Sequence, residues 1–144
     1  MRETHQLQLF VENRVGVLDQ ISILVRRSGW NVTSIHSCEE PWNGGTRVIL
    51  TIEGHAALRL LTEQFHRLDC VKDLKISDKT PDGGHELVLI KGDVGAVAGQ
   101  FGAVPAGEGI YRFAGTVDEV EKFIDACRSR GHIELMRSGA IYLS

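Results

Sequence analysis

A short stretch, Glu12 to Ile21, has residue types that suit the binding of a small anion. Gly16 has no Cβ, so the backbone can bend sharply there and a ligand can approach it closely. The N–H groups of Val17, Leu18 and Asp19 open a predicted helix and have no partner within it. Because a helix start attracts negative charge, we expect a carboxylate at this turn.

Asn13 and Asn31 would supply amides for a free amino acid. An amide can accept from an ammonium group or donate to a carboxylate. Asn31 opens the second predicted strand, which we expect to return close to the turn. Val15, Val17 and Val32 would provide an apolar wall for a branched side chain. Charge-assisted hydrogen bonds of about 1.5–3 kcal/mol each would give micromolar to millimolar affinity. The alternative is that these residues only shape the turn and nothing binds.

His36 and Cys38 are the best candidates for metal ligands, because positions i and i+2 of a strand lie on one face. Two further ligands are needed. The remaining histidines are scattered along the chain: His5, His55, His66, His85 and His132. We therefore predict no metal site, and a small metal-dependent enzyme that uses His36 and Cys38 remains an alternative.

Catalytic and nucleotide-binding motifs are not visible in the sequence. Gly102 and Gly107 have the glycine spacing of a phosphate-binding loop, but Glu108-Gly109 stands where Lys-Ser/Thr is needed. Neither a dinucleotide-binding fingerprint nor a hydrolase nucleophile elbow is present. Asp69-Cys70 and Glu39-Glu40 are interpreted as a solvated turn and a surface charge pair. We expect no catalytic residue and no cofactor in this chain.

Composition sets limits on the class of protein. The chain has 144 residues, of which 42% are apolar, and a net charge of −3 with no basic run. These values favour a folded domain or two and argue against nucleic acid or an anionic membrane as partner. No signal peptide or membrane-spanning run is visible. Cys38, Cys70 and Cys127 form no Cys-x-x-Cys pair, which indicates reduced thiols and a cytoplasmic location.

Hydrophobic periodicity positions the Glu12–Ile21 turn between a strand and a helix. Alternating Leu7, Leu9 and Val11 predict the strand that precedes the turn. The segments that follow are a helix at Val17–Ser28, strands at Trp30–Cys38 and Thr46–Glu53, a helix at His55–Arg67 and a strand at Val71–Ser77. The order β-α-β-β-α-β predicts a ferredoxin-like α+β domain over residues 1–78.

A linker at residues 79–85 is followed by a predicted second domain, residues 86–144, which we expect to be a smaller and degenerate α+β module. Leu87–Ile90 is a continuous apolar strand, either buried on both faces or at a subunit contact. Thr116 and Glu119 form a capping box that starts a helix at Val117. The other predicted elements are a short helix near Val94–Phe101 and strands at Ile110–Ala114, His132–Met136 and Ala140–Leu143.

The sequence resembles a known family in several motifs, which follow the family's order along nearly the whole chain. The first is Glu-Asn-x-x-Gly-Val-Leu from Glu12, followed by Arg-Arg-Ser-Gly-Trp-Asn-Val-Thr-Ser-Ile from Arg26. The later ones are Ala-Gly-Thr from Ala114 and Met-Arg-Ser-Gly-Ala-Ile from Met136. The first two resemble an ACT domain. The complete set is similar to the small regulatory subunit of acetolactate synthase, also called acetohydroxyacid synthase.

The resemblance implies a non-catalytic subunit that activates a larger catalytic subunit in branched-chain amino-acid biosynthesis. It also implies feedback inhibition by a branched-chain amino acid, with valine first among the candidates. It implies a homodimer whose ACT domains pair side by side and bind the effector at their interface. The family's contacts map onto Asn13, Gly16 and Asn31, with Val15, Val17, Leu18 and Val32 as neighbours. The implied partner is the large catalytic subunit, to which thiamine diphosphate, magnesium and FAD would belong.

The glycine-rich segment Gly92–Gly109 departs from the family, which has a longer helical segment at this position. Activation of a catalytic subunit is therefore the part of the resemblance that the second half supports least. A free-standing ACT-domain sensor that regulates a different enzyme is the main alternative function.

Overall fold

Leu7, Leu9 and Val11 are buried on one side of a sheet, as their alternation in the sequence predicts, and Gln6 and Gln8 on the other side are buried as well. A computed structural model describes residues 2–143. The chain divides into two compact units, the first ending at Lys79 and the second beginning at Thr80. No helix within residues 2–143 is long and apolar enough to cross a membrane.

The first unit has the predicted ferredoxin-like order of elements. They are β1 Glu3–Glu12, α1 Val17–Arg27, β2 Trp30–Glu40, a 3₁₀ turn Pro41–Asn43, β3 Gly45–Gly54, α2 Leu58–Arg67 and β4 Val71–Ser77. The strands form one antiparallel sheet in the order β2-β3-β1-β4. Helix α2 begins later than predicted, because Gly54 still belongs to β3, where it pairs with Glu3 and Trp30.

The core of the first unit lies between the sheet and its two helices. Its fully buried members come from all these layers: Leu7, Leu9, Ile21, Val25, Val48, Leu50, Ile52, Leu61 and Phe65. The two tryptophans differ sharply, since Trp30 is 4% exposed and Trp42, at the β2–β3 connection, is 80% exposed. Helix α2 packs through Leu61 and Phe65, which are buried, and Leu58 and Leu68 pack against the core at its two ends.

The second unit repeats the same order with shorter strands and a shorter first helix. They are β5 Glu86–Lys91, α3 Gly95–Phe101, β6 Val104–Gly107, β7 Ile110–Gly115, α4 Val117–Arg128 and β8 Glu134–Arg137. Its sheet has the order β6-β7-β5-β8, which corresponds strand for strand to the first. The prediction of a second, smaller α+β module is confirmed, and its succession of elements is complete.

Three local predictions in the second unit can be compared with the structure. The capping box is present, since Thr116 Oγ1 accepts from Glu119 N–H and Glu119 accepts from Thr116 N–H. Of the two alternatives for β5, burial on both faces is not observed within the chain, because Leu87 and Leu89 are 45% and 40% exposed, and the subunit contact stays a prediction. The prediction of a final strand at Ala140–Leu143 is also wrong. In this segment only Ile141 makes a β-bridge, and its partner is His85, the residue before β5.

A charged pair joins β5 to β8. Glu86 is 3% exposed and accepts from Arg137 Nε at 2.7 Å and from Arg137 Nη2 at 2.9 Å. Its carboxylate also accepts from the backbone N–H of Gly139 at 3.3 Å, and Arg137 donates to Glu121. These bonds raise the pKa of Arg137 above its ordinary value. The buried carboxylate therefore fixes the chain where it leaves β8.

Candidate functional site at the start of helix α1

The turn between β1 and α1 has the sharp bend that the sequence predicts. Gly16 is the N-cap of α1 with φ +86°, a left-handed conformation that side chains disfavour. The space beside it is open, because a Cβ at Gly16 would have no heavy atom within 4 Å. Gln20 N–H makes the first bond inside the helix, to the carbonyl of Gly16 at 3.0 Å.

Helix α1 begins without a side-chain cap. The N–H of Val17 points back to the carbonyl of Arg14 at 3.4 Å, so it is less available than the sequence suggests. The N–H groups of Leu18 and Asp19 are not used by the helix. Two backbone donors at the positive end of an eleven-residue helix therefore face outward.

A cavity of about 480 Å³ opens beside this helix start. Its lining comes from the end of β1, the turn, the first turn of α1, the end of β2 and the start of β3: Val11, Glu12, Asn13, Arg14, Gly16, Val17, Leu18, Asp19, Ser37, Glu39 and Thr46. The volume is adequate for an amino acid. The apolar lining is Val11, Val17 and Leu18.

Polar side chains at the rim are arranged by two sets of bonds. Asn13 Nδ2 donates to Glu39 Oε1 at 2.6 Å. Arg14 donates to Asp69 at 3.0 Å and lies 3.4 Å from Glu12, and these carboxylates raise the pKa of its guanidinium. The guanidinium of Arg14 is thus already paired, whereas no side chain among residues 2–143 donates to the second carboxylate oxygen of Glu39.

The predicted binding residues do not all meet. Asn13, Gly16, Val17 and Leu18 line the cavity, whereas Val15 projects into solvent. Two further residues, Asn31 and Val32, lie elsewhere, at the start of β2.

The expectation that Asn31 returns close to the turn within one chain is wrong. Asn31 pairs with Glu53, whereas Glu12 pairs with Gly45 at the other end of β3. The reason is that β1 and β2 are both antiparallel to β3, so they run in the same direction. The end of β2, not its start, therefore lies beside the turn.

Sequence reasoning missed Ser37, Glu39 and Thr46 as lining residues. The signal was available, because the predicted order β-α-β-β already requires that the first two strands run parallel to each other. Applied to β2, this rule places residues near Glu39 beside the helix start, and Thr46 follows from its pairing with Glu39.

The other chemical candidates are engaged in structural bonds. Asp69 binds Arg14, and Glu40 accepts from Arg47 at 2.6 Å and from Asn43 at 3.0 Å, which holds the pKa of Glu40 below its usual value. Cys70 is buried with its thiol 3.5 Å from Gln20 Oε1.

His36 and Cys38 share a face of β2. Residues 2–143 contain no group of three or more His, Cys, Asp or Glu side chains that could hold a metal ion. Cys38 is exposed and Cys127 is buried, and burial raises the pKa of the Cys127 thiol.

Comparison with known proteins places this site in a family. Residues 7–73 match the family described as "AHAS small subunit-like ACT domain". A probable acetolactate synthase small subunit from Archaeoglobus fulgidus is 28% identical over 95% of this chain and 94% of its own length. The acetolactate synthase small subunit of Mycolicibacterium smegmatis is 26% identical over 98% of this chain and 91% of its own.

A solved structure is similar over nearly the whole chain. The small subunit of acetolactate synthase from Thermotoga maritima aligns with a TM-score of 0.76 at 22% identity, covering 96% of this chain and 94% of that one. Residues 7–73 therefore match an ACT domain of the acetolactate synthase small-subunit kind. Beyond this domain, the chain is similar to acetolactate synthase small subunits over nearly its whole length.

Proposed function

We propose that this chain is a regulatory subunit that binds a branched-chain amino acid, with valine first among the candidates, and transmits feedback inhibition to a catalytic subunit. The observation that carries the proposal is the cavity beside the uncapped start of α1. A carboxylate placed there would accept from the N–H groups of Leu18 and Asp19 and would gain from the helix dipole.

The lining also suits the side chain of such an effector. Leu18 is 42% exposed and supplies most of the open apolar surface, because Val11 and Val17 are 1% and 4% exposed and belong to the core. An aliphatic side chain of three or four carbons would bury apolar area against Leu18, at about 25 cal/mol per Å². An anionic side chain would meet the carboxylates of Glu12, Asp19 and Glu39, which supports a branched-chain amino acid over an acidic one.

A second copy of the chain would complete the site. Strand β2 is an edge of its sheet and therefore presents unpaired backbone groups. Ile35, at the middle of β2, is 41% exposed. Antiparallel pairing of two β2 strands around Ile35 would bring the start of one strand to the end of the other. Asn31 of the second copy would then reach the rim formed by Asn13 and Glu39.

The homodimer therefore explains how Asn31 and Val32 can belong to the effector site although they lie far from the turn in one chain. An effector held between two copies would stabilise one packing of the dimer over another. A coupling of about 1–3 kcal/mol between this site and a bound catalytic subunit would account for regulation.

The relatives are named as small subunits of acetolactate synthase, and this supports a large catalytic subunit as partner. Thiamine diphosphate, magnesium and FAD belong to that partner in this proposal. In this proposal the chain contributes regulation only and acts in the cytoplasm.

Isothermal titration with valine, leucine and isoleucine tests effector binding. The decisive pair of variants is Gly16→Ala and Gly102→Ala. Both glycines have positive φ (+86° and +73°) with nothing within 4 Å of an added Cβ, so both variants carry a similar backbone strain of about 1–2 kcal/mol. We expect only Gly16→Ala to weaken valine binding, at least tenfold. Equal affinities in both variants would contradict the proposed site.

The regulatory part is tested separately by assaying the large subunit from the same organism with and without this chain, at several valine concentrations. We expect activation by the chain and inhibition by valine that Gly16→Ala relieves. Binding of valine without any effect on the large subunit would instead favour a free-standing sensor of another enzyme.

A further inference from the structure

The cavity at the start of α1 carries an excess of negative charge. Its lining includes the carboxylates of Glu12, Asp19 and Glu39. The guanidinium in the lining, Arg14, is shared between Glu12 and Asp69, and Asp69 is not part of the lining. A ligand that carries only a carboxylate would be repelled by this lining, whereas a ligand that also carries a cation would be attracted.

The bond between Asn13 and Glu39 fixes which atoms face the ligand. An ionised carboxylate can only accept, so the NH₂ group of Asn13 must point at Glu39, as the 2.6 Å contact shows. The carbonyl oxygen of Asn13 and the second oxygen of Glu39 remain as acceptors. One acceptor thus follows the end of β1 and the other lies near the end of β2, and both belong to residues that line the same cavity as Leu18 and Asp19.

We propose that Glu39 receives the α-ammonium group of the effector and makes the site selective for amino acids over keto acids of the same shape. The inference rests on the proposed effector site and adds a residue that the sequence motif does not contain. The donors at the helix start take the carboxylate of the ligand, and Glu39 with the oxygen of Asn13 takes its ammonium group. A zwitterion fits both ends, whereas a keto acid would leave Glu39 without a cation.

Titration of Glu39→Gln with two ligands tests the inference. The ligands are L-valine and 3-methyl-2-oxobutanoate, which have the same carbon skeleton. The matched control is Glu108→Gln, which removes the same charge from an exposed position in the second unit. We expect the wild type to prefer valine strongly. Glu39→Gln should weaken valine binding about 10- to 100-fold and should leave keto-acid binding unchanged or improved.

Glu39→Asp keeps the charge on a shorter side chain and should retain more valine affinity than Glu39→Gln. A merely structural role of Glu39 would weaken both ligands by the same factor, and that result would overturn the inference. Wild-type affinity for valine in Glu39→Gln would overturn it as well, while leaving the proposed function intact. Absence of valine binding in the wild type would remove the effector site itself and this inference with it.

Discussion

The two units of the chain have the same topology, and in each a helix starts after the first strand. The space beside these two helix starts differs. In the first unit, Gly16 has free space around it and the neighbouring cavity measures about 480 Å³. In the second, a Cβ at Gly95, the first residue of α3, would lie 2.9 Å from the hydroxyl oxygen of Tyr111, and the cavity beside α3 measures about 180 Å³. Topology thus provides a position for a site, and the residues packed around it decide whether a ligand can enter.

Helices α1 and α3 also differ in length and in how many residues they bury. Helix α1 has eleven residues and anchors itself through Val17, Ile21 and Val25, so its first turn can stay uncapped. Helix α3 has seven residues and buries only Val97 and Ala98. A helix that is well packed along its length can leave its first donors for a ligand, because packing rather than capping holds it in place.

Mutations in the hydrophobic cores of the two units should have the largest effects. Phe65 and Phe123 are both fully buried, in the first and second unit respectively. Replacing either with alanine should cost about 3–5 kcal/mol, because each leaves a cavity. We expect Phe65→Ala to speed amide hydrogen exchange mainly in β1 and β3, and Phe123→Ala mainly in β5 and β7. Equal acceleration in both sheets by either variant would show that the units open together.

Removal of the buried charge pair tests whether the second unit depends on a polar anchor. Arg137→Met should cost about 3 kcal/mol in urea unfolding, because Glu86 would keep its buried charge without a counter-ion. The control is Glu121→Gln, which removes only the exposed partner of Arg137 and should cost less than about 1 kcal/mol. Similar losses in the two variants would contradict the role assigned to Glu86.

The pair of Arg47 and Glu40 in the first unit should have a smaller, pH-dependent effect. Arg47 lowers the pKa of Glu40, so the stabilisation is present above the pKa of an unfolded glutamate and is lost as pH falls through the lowered value. Arg47→Met should raise the pKa of Glu40 in an NMR titration of its carboxyl group. Arg59→Met, which removes an exposed partner of Glu63, should leave that titration unchanged, and an unchanged Glu40 in Arg47→Met would contradict the assignment.

Much of the fold was predictable because its signals are local. The bend at Gly16 and the capping box at Thr116 depend on residues within one turn, and both are confirmed. Strand β6 was missed because Val104–Gly107 contains Pro105 and small residues without alternation. It forms at the edge of its sheet, where a proline is tolerated.

The candidate site was only partly predictable, for a reason of geometry rather than chemistry. Asn13 and Gly16 belong to one turn, so their neighbourhood follows from sequence spacing. Glu39 comes to Asn13 through strand directions over a separation of 26 residues, and the residue type alone gives no hint of it. In the proposed site, Asn31 comes from a second copy of the chain. The position of that copy does not follow from the sequence of one chain.

The unequal burial of Trp30 and Trp42 gives the first unit two built-in fluorophores at opposite ends of β2. Trp30 is enclosed in the core beside His5, whereas Trp42 stands in water near the end of the sheet that holds the cavity. Emission from Trp42 lies at longer wavelength and is open to acrylamide quenching, whereas Trp30 is shielded. A spectroscopist can therefore follow events at the cavity end of the sheet and opening of the core separately, in one unlabelled protein.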